Sequence, residues 1–117
     1  MKSKEAAEQE ALMYWAELNS NKHPELQMLY HIPNGGSRHK MEAANLKRQG
    51  VKAGVPDLCL PVPRKSYGGL YIEMKYGINK PTDKQLWWMK RLIHYGYKVA
   101  VCYNYQEAID EILMYLR

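Results

Sequence analysis

The stretch that decides the fold runs Gly54-Val55-Pro56-Asp57-Leu58-Cys59-Leu60-Pro61-Val62-Pro63 and resumes, after a polar link, as Gly68-Gly69-Leu70-Tyr71-Ile72-Glu73-Met74-Lys75-Tyr76. Asp57 to Val62 is short, apolar and bracketed by Pro56 and Pro63, which suits a buried strand better than a helix. Leu70 to Tyr76 reads as a second strand, and Gly68-Gly69 before it favours a hairpin or near-hairpin link. Alternate side chains of an extended strand share a face, so Tyr71, Glu73 and Lys75 point one way and Ile72 and Met74 the other. A carboxylate and an amine thus lie side by side, and the hairpin link brings the Asp57 carboxylate next to Glu73.

Working outward, residues 3 to 19 read as a helix because Ala11, Leu12, Trp15 and Leu18 recur at the spacing of one helical face. An extended run, Met28 to Ile32, ends in Pro33-Asn34-Gly35-Gly36, four residues that each favour a turn. Ser37 to Arg48 is a second helix, with Ser37 as N-cap and Gly50 as its stop. Pro81-Thr82 opens a third that reaches about Tyr95 and stops at Gly96. Lys98 to Tyr103 is a further apolar strand, and Gln106 to Leu116 a last amphipathic helix. The order helix, strand, helix, strand, strand, helix, strand, helix predicts an α/β fold with a mixed sheet flanked by helices. With 117 residues and no internal repeat, residues 1–117 are expected to form a single domain.

Seventeen Lys and Arg against twelve Asp and Glu leave a formal charge of +5, which favours polyanionic partners. No stretch approaches the ~20 apolar residues of a membrane span, and the amino terminus opens on Lys, Ser and Glu rather than an apolar run. Cys59 and Cys102 each sit in an apolar strand-like run, the usual setting of a buried reduced thiol. The expectation is an intracellular protein with no membrane partner. His23, His31, His39 and His94 show no ligand spacing with the cysteines, which argues against structural zinc.

Charged groups inside a strand are costly to bury unless they are paired or bind a metal. Standing alone, Glu73 and Lys75 would equally suit an exposed ion pair on an edge strand. Asp57 changes that balance, because two converging carboxylates offer the oxygen ligands that Mg²⁺ or Mn²⁺ prefers. A backbone carbonyl from Met74 could complete the protein's share. Lys75 beside them would be a point charge able to orient a water and offset developing negative charge.

The run Gly54-Val55-Pro56-Asp57 followed by Ile72-Glu73-Met74-Lys75 resembles the active-site signature of the PD-(D/E)xK nucleases. Within that superfamily, Ile32-Pro33-Asn34-Gly35-Gly36, the basic helix leading into Gly54, and Gln85 resemble the virus-type replication-repair nuclease (VRR-NUC) family over roughly residues 5 to 103. The resemblance implies a restriction-endonuclease-like core and Mg²⁺- or Mn²⁺-dependent hydrolysis of DNA phosphodiesters. It further implies an endonuclease role in phage or viral replication, recombination or repair, with some relatives resolving Holliday junctions as homodimers.

It also implies a glutamate from the first helix. Glu8 lies at the centre of the Ala11, Leu12, Trp15 and Leu18 stripe, with Glu5 at its edge as the fallback, whereas Glu10 and Glu17 fall opposite. A boundary glutamate reaching to water explains Glu8 as well. Thr82-Asp83-Lys84-Gln85 fits a capping box, and the resemblance places Gln85 beside the active site. The expected catalytic set is therefore Asp57, Glu73, Lys75, Gln85 and Glu8, with Asp57, Glu73, the Met74 carbonyl and Glu8 toward the metal.

Asn34, Gly35, Gly36, Arg38, Lys47, Arg48 and Lys52 crowd the segment before Asp57 and are expected to track DNA, a solvated helix face being the ordinary alternative. No Walker-type lysine follows the glycines, so a nucleotide cofactor is not expected. Trp87 shares a helix face with Lys84, Lys90, Arg91 and His94, which invites an interface or a base-stacking contact; a homodimer is the expected assembly. The competing classes are a non-catalytic nucleic-acid-binding module of the same fold and an interaction protein that uses the exposed tryptophan.

Overall fold

The computed structural model describes residues 3–34 and 39–117. Among these, β1 (Tyr30–His31), β2 (Leu58–Leu60), β3 (Leu70–Met74) and β4 (Lys98–Cys102) form one sheet in the order β1-β2-β3-β4. The β1–β2 and β2–β3 pairs are antiparallel, and β3–β4 is parallel. The sheet is mixed, as expected. A parallel pair cannot be closed by a tight turn; α3 (Asp83–His94) provides the crossover from β3 to β4.

The antiparallel register sets Leu58 opposite Ile72 and Leu60 opposite Leu70, so their side chains share a face. That face is buried with Met74 against Leu12 and Ala16 of α1 (Lys4–Leu18) and Ala108, Ile112 and Tyr115 of α4 (Tyr105–Leu116). Cys59 and Tyr71 pair on the opposite face, which Glu73 shares by the two-residue period. Cys59 and Cys102 are both buried and free, which fits the reading of reduced thiols.

A 3₁₀ helix at Pro24–Met28, fastened to the β2–β3 link by a 2.6 Å ion pair between Glu25 and Arg64, is a feature the sequence reading lacks. Pro24 pre-sets its first turn and Leu26 is buried beneath it, but five residues are too few to register a period. The second helix, α2, spans Lys40–Arg48 and buries no residue. His39 stands at its cap position; Ser37, expected there, lies outside the described residues.

The stripe expected on α1 needs a correction. Leu12 and Ala16 are buried, whereas Leu18 is 63 % exposed. The buried axis is thus rotated away from the Ala11, Leu12, Trp15 and Leu18 line.

Candidate active site

Asp57 ends the loop that feeds β2, and its backbone is fixed to β1, because the Asp57 carbonyl accepts from the Ile32 amide at 2.7 Å and from His31 Nδ1 at 2.8 Å. Its side chain crosses to the neighbouring strand, where Oδ2 accepts from the Met74 amide at 2.8 Å. Glu73 is 1 % exposed and Lys75 7 % exposed. Lys75 Nζ stands 3.8 Å from Glu73 Oε2. The exposed edge-strand pair that composition alone allows is therefore excluded. Both groups are buried, where Coulomb attraction is least screened and charging either is most costly.

Gln85 joins them from α3. Its Oε1 accepts from the Thr82 amide at 2.9 Å while Thr82 Oγ1 accepts from the Gln85 amide at 3.2 Å, the reciprocal capping box that the sequence suggested. The same side chain turns its Nε2 to donate to Glu73 Oε2 at 3.1 Å. Capping and site contact are one arrangement: the cap fixes the amide oxygen, and planarity then aims the amide nitrogen at Glu73.

Gly54 seats α3 against the loop before Asp57. Its φ is +92°, and a Cβ there would lie 2.9 Å from the Lys84 carbonyl carbon. Only glycine allows this approach without displacement.

Glu73 Oε2 has two neighbours, whereas Oε1 is buried with no amide or amine donor, and the carboxyl also hydrogen-bonds with the Asp57 side chain. Burial pushes the Glu73 carboxyl up to about 8, and the nearby Asp57 charge adds to the rise against the pull of Lys75. Asp57 is also raised by burial, while the Met74 amide, His31, a hydrogen bond with the Glu73 carboxyl and Lys75 draw it back. Two carboxyl groups that close do not ionise together easily without added positive charge.

Compared with known proteins, residues 3–105 match the model of the VRR-NUC domain. The chain belongs to the VRR-NUC family. It is also similar to a solved structure described as a VRR_NUC domain protein, at 32 % identity and a TM-score of 0.82, over 99 % of this chain and 90 % of that one. Comparison with curated proteins gave no match. The mixed sheet with its flanking helices is thus the fold of a VRR-NUC relative, and the chain is a member of a nuclease family.

Two residues of this VRR-NUC domain change places relative to expectation. Glu8 Oε2 accepts from the Tyr105 amide at 3.3 Å, which ties α1 to the first turn of α4 rather than to the site. Glu5 is the acid of α1 whose charge bears on Glu73. The rotated axis explains the exchange. At roughly 100° per residue, a line midway between Leu12 and Ala16 passes through Glu5 and leaves Glu8 about 60° away. His31, absent from the expected set, touches the Asp57 carbonyl; its signal in the sequence is only its place just before the Pro33-Asn34 turn. Met74 also meets Asp57 through its amide, a contact the sequence does not signal.

Asn34, Lys47 and Lys52 line one cavity of about 410 Å³ with Ala43, Val51, Ala53 and Lys84. Arg48 is not among its lining residues, and its guanidinium donates instead to Asn45 on its own helix. Gly35, Gly36 and Arg38 lie outside the described residues. Among the described residues no group of three His, Cys, Asp or Glu side chains could hold a metal. Asp57 and Glu73 nevertheless fit Mg²⁺ or Mn²⁺, which binds through one or two carboxylates with waters and phosphate oxygens filling the other positions. Two buried carboxyl groups held side by side, one oxygen of Glu73 without an amide or amine donor, are what such an ion would satisfy. No helix among the described residues is long and apolar enough to cross a membrane.

Proposed function

We propose that this chain is a Mg²⁺- or Mn²⁺-dependent deoxyribonuclease, an endonuclease that cuts branched DNA, four-way junctions included, in phage or viral replication, recombination or repair. The observation that carries the reading is the buried Glu73 carboxyl crowded against Asp57 and Lys75, its Oε1 met by no amide or amine donor. A purely structural ion pair gains nothing from a second carboxyl buried at its side.

Asp57 and Glu73, with the Met74 carbonyl, would hold the metal, which supplies a water of lowered pKa and neutralises charge on the phosphate. The chain's own residues prepare the reaction. The Met74 amide and Gln85 Nε2 fix one oxygen of each carboxylate and so orient the other. Lys75, held against Glu73, would align the attacking water and offset charge as the phosphate becomes pentacovalent. Lys47 and Lys52 would bind flanking phosphates by charge, and Asn34 by a side-chain amide hydrogen bond, outside the chemistry. A homodimer would present two such sites to the two strands of a symmetric branch.

Labelled duplex, flap, single-stranded and four-way junction DNAs, incubated with Mg²⁺, Mn²⁺ or chelator, test this directly. Metal-dependent cleavage with a preference for the branched substrate is expected. Tight binding with no cleavage under either metal would make the protein a non-catalytic binding module.

A further inference from the structure

Next to the site lies a second cavity, of about 440 Å³, lined by Ala53, Asp83, Lys84, Trp87 and Trp88. The two indoles meet edge to face with ring centres 5.6 Å apart, and the Arg91 guanidinium stands 3.9 Å from the Trp87 ring centre. Trp87 is nonetheless 48 % exposed. An indole held in place by neighbours and left open to solvent is a stacking platform that forfeits little entropy when it is covered.

Ala53 and Lys84 line both this aromatic cavity and the cationic one that holds Asn34, Lys47 and Lys52. The two are therefore contiguous. One is aromatic and contains a carboxylate, Asp83, beside the shared Lys84; the other contains Lys47 and Lys52 with that same Lys84 and no acid among its lining residues. This separation of chemistry matches one nucleotide: a π-face with amino-bearing edges suits the first, and a phosphate suits the second. A phosphate would be repelled by Asp83, and a protein partner would have no use for an adjacent trio of lysines unless it were acidic.

We infer that Trp87, Trp88 and Asp83 form a subsite for one unpaired nucleobase, with the phosphate attached to it on Lys47, Lys52 and Lys84. The inference rests on the nuclease reading and deepens it, because the subsite is built from the elements that carry the chemistry. Ala53 precedes Gly54 in the loop leading to Asp57, and Lys84 precedes Gln85, which donates to Glu73. A base paired inside a duplex cannot reach a concave aromatic wall, whereas one at a bulge or branch can. Preference for branched DNA would then arise within one chain, whatever its assembly.

The test is binding in chelator, where cleavage cannot interfere, using fluorescein-labelled duplexes that are fully paired or carry one bulged 2-aminopurine. The wild-type chain should favour the bulged duplex on the order of ten-fold and quench the 2-aminopurine on binding. Trp87→Ala should lose that ratio and the quenching, Trp87→Phe should retain most of both, and an abasic bulge should behave like the paired duplex. Equal affinity for the two duplexes, or quenching untouched by Trp87→Ala, would overturn the subsite. So would a Trp87→Ala chain whose only change is a fall from dimer to monomer in sedimentation, since Trp87 would then face a second copy. Because no metal is present, failure of the nuclease reading shows separately, as bulge-selective binding with no cleavage once Mg²⁺ is added.

Discussion

Glu73 carries the central tension of the site at the residue scale, because burial opposes the charge that metal binding needs. With its carboxyl pushed up to about 8, the metal-free folded state holds a proton that the unfolded chain releases near 4.5. Stability from this group is fully present below about pH 4.5 and is lost as pH rises through about 8. Thermal unfolding in chelator should therefore weaken across that window, and Glu73→Gln, which cannot ionise, should flatten the decline and exceed wild type at pH 8. Added Mg²⁺ should raise the wild-type melting temperature more at pH 8 than at pH 5. The three central residues should also separate by their signatures. Asp57→Ala and Glu73→Ala should abolish metal binding in calorimetric titration. Lys75→Ala should keep it yet lose at least roughly 10²-fold in single-turnover cleavage. Near-normal cleavage by folded Asp57→Ala and Glu73→Ala chains would remove the site from here. On α1 the contrast is between neighbours. Glu5→Gln removes a charge that raises Glu73 and should shift the pH–rate profile downward, whereas Glu8→Ala should cost about 1 kcal/mol of stability with the profile unmoved.

At the scale of elements, the position of α3 against the loop before β2 decides whether Gln85 can reach Glu73. Gly54→Ala would place a methyl against the Lys84 backbone at a positive φ, so a loss on the order of 1–3 kcal/mol is expected in denaturant unfolding. Cleavage should fall with it, as Gln85 is displaced, and a chain of unchanged stability and rate would show that the contact yields freely. The cationic cavity makes a different demand. Lys47→Ala should flatten the salt dependence of DNA binding by up to about one unit of log slope, and saturating enzyme should restore most of the cleavage rate. Arg48→Ala should do less, since Arg48 is engaged by Asn45 within α2.

For the whole molecule, the charge of +5 on 117 residues favours encounter with DNA and adds a self-repulsion that any pairing of copies must overcome. A homodimer should appear in light scattering as a doubled mass, strengthened by branched DNA or by added salt. A monomer at working concentrations, unmoved by either, would leave substrate preference to the single chain and its aromatic cavity.

What the sequence determined by itself follows from local periods. Two-residue alternation put Glu73 and Lys75 on one face, the proline-bounded run made β2 a buried strand, and the diglycine link made its pairing with β3 antiparallel, so Asp57, Glu73 and Lys75 could be named together. Thr82 to Gln85 declared its capping box in the same way, because a cap is a matter of four consecutive residues. Tertiary packing decided the rest. A helix reads alike at any rotation about its axis until something buries one side of it; Leu12 and Ala16 did so, which put Glu5 in line with the buried axis and Glu8 against the Tyr105 amide. His31 came to Asp57 because a two-residue strand pairs with β2, and Trp87 came to share a cavity with Ala53 because Gly54 lets α3 approach the loop. None of these contacts is written in a period, since each depends on where two distant segments meet and on how closely their backbones can pack.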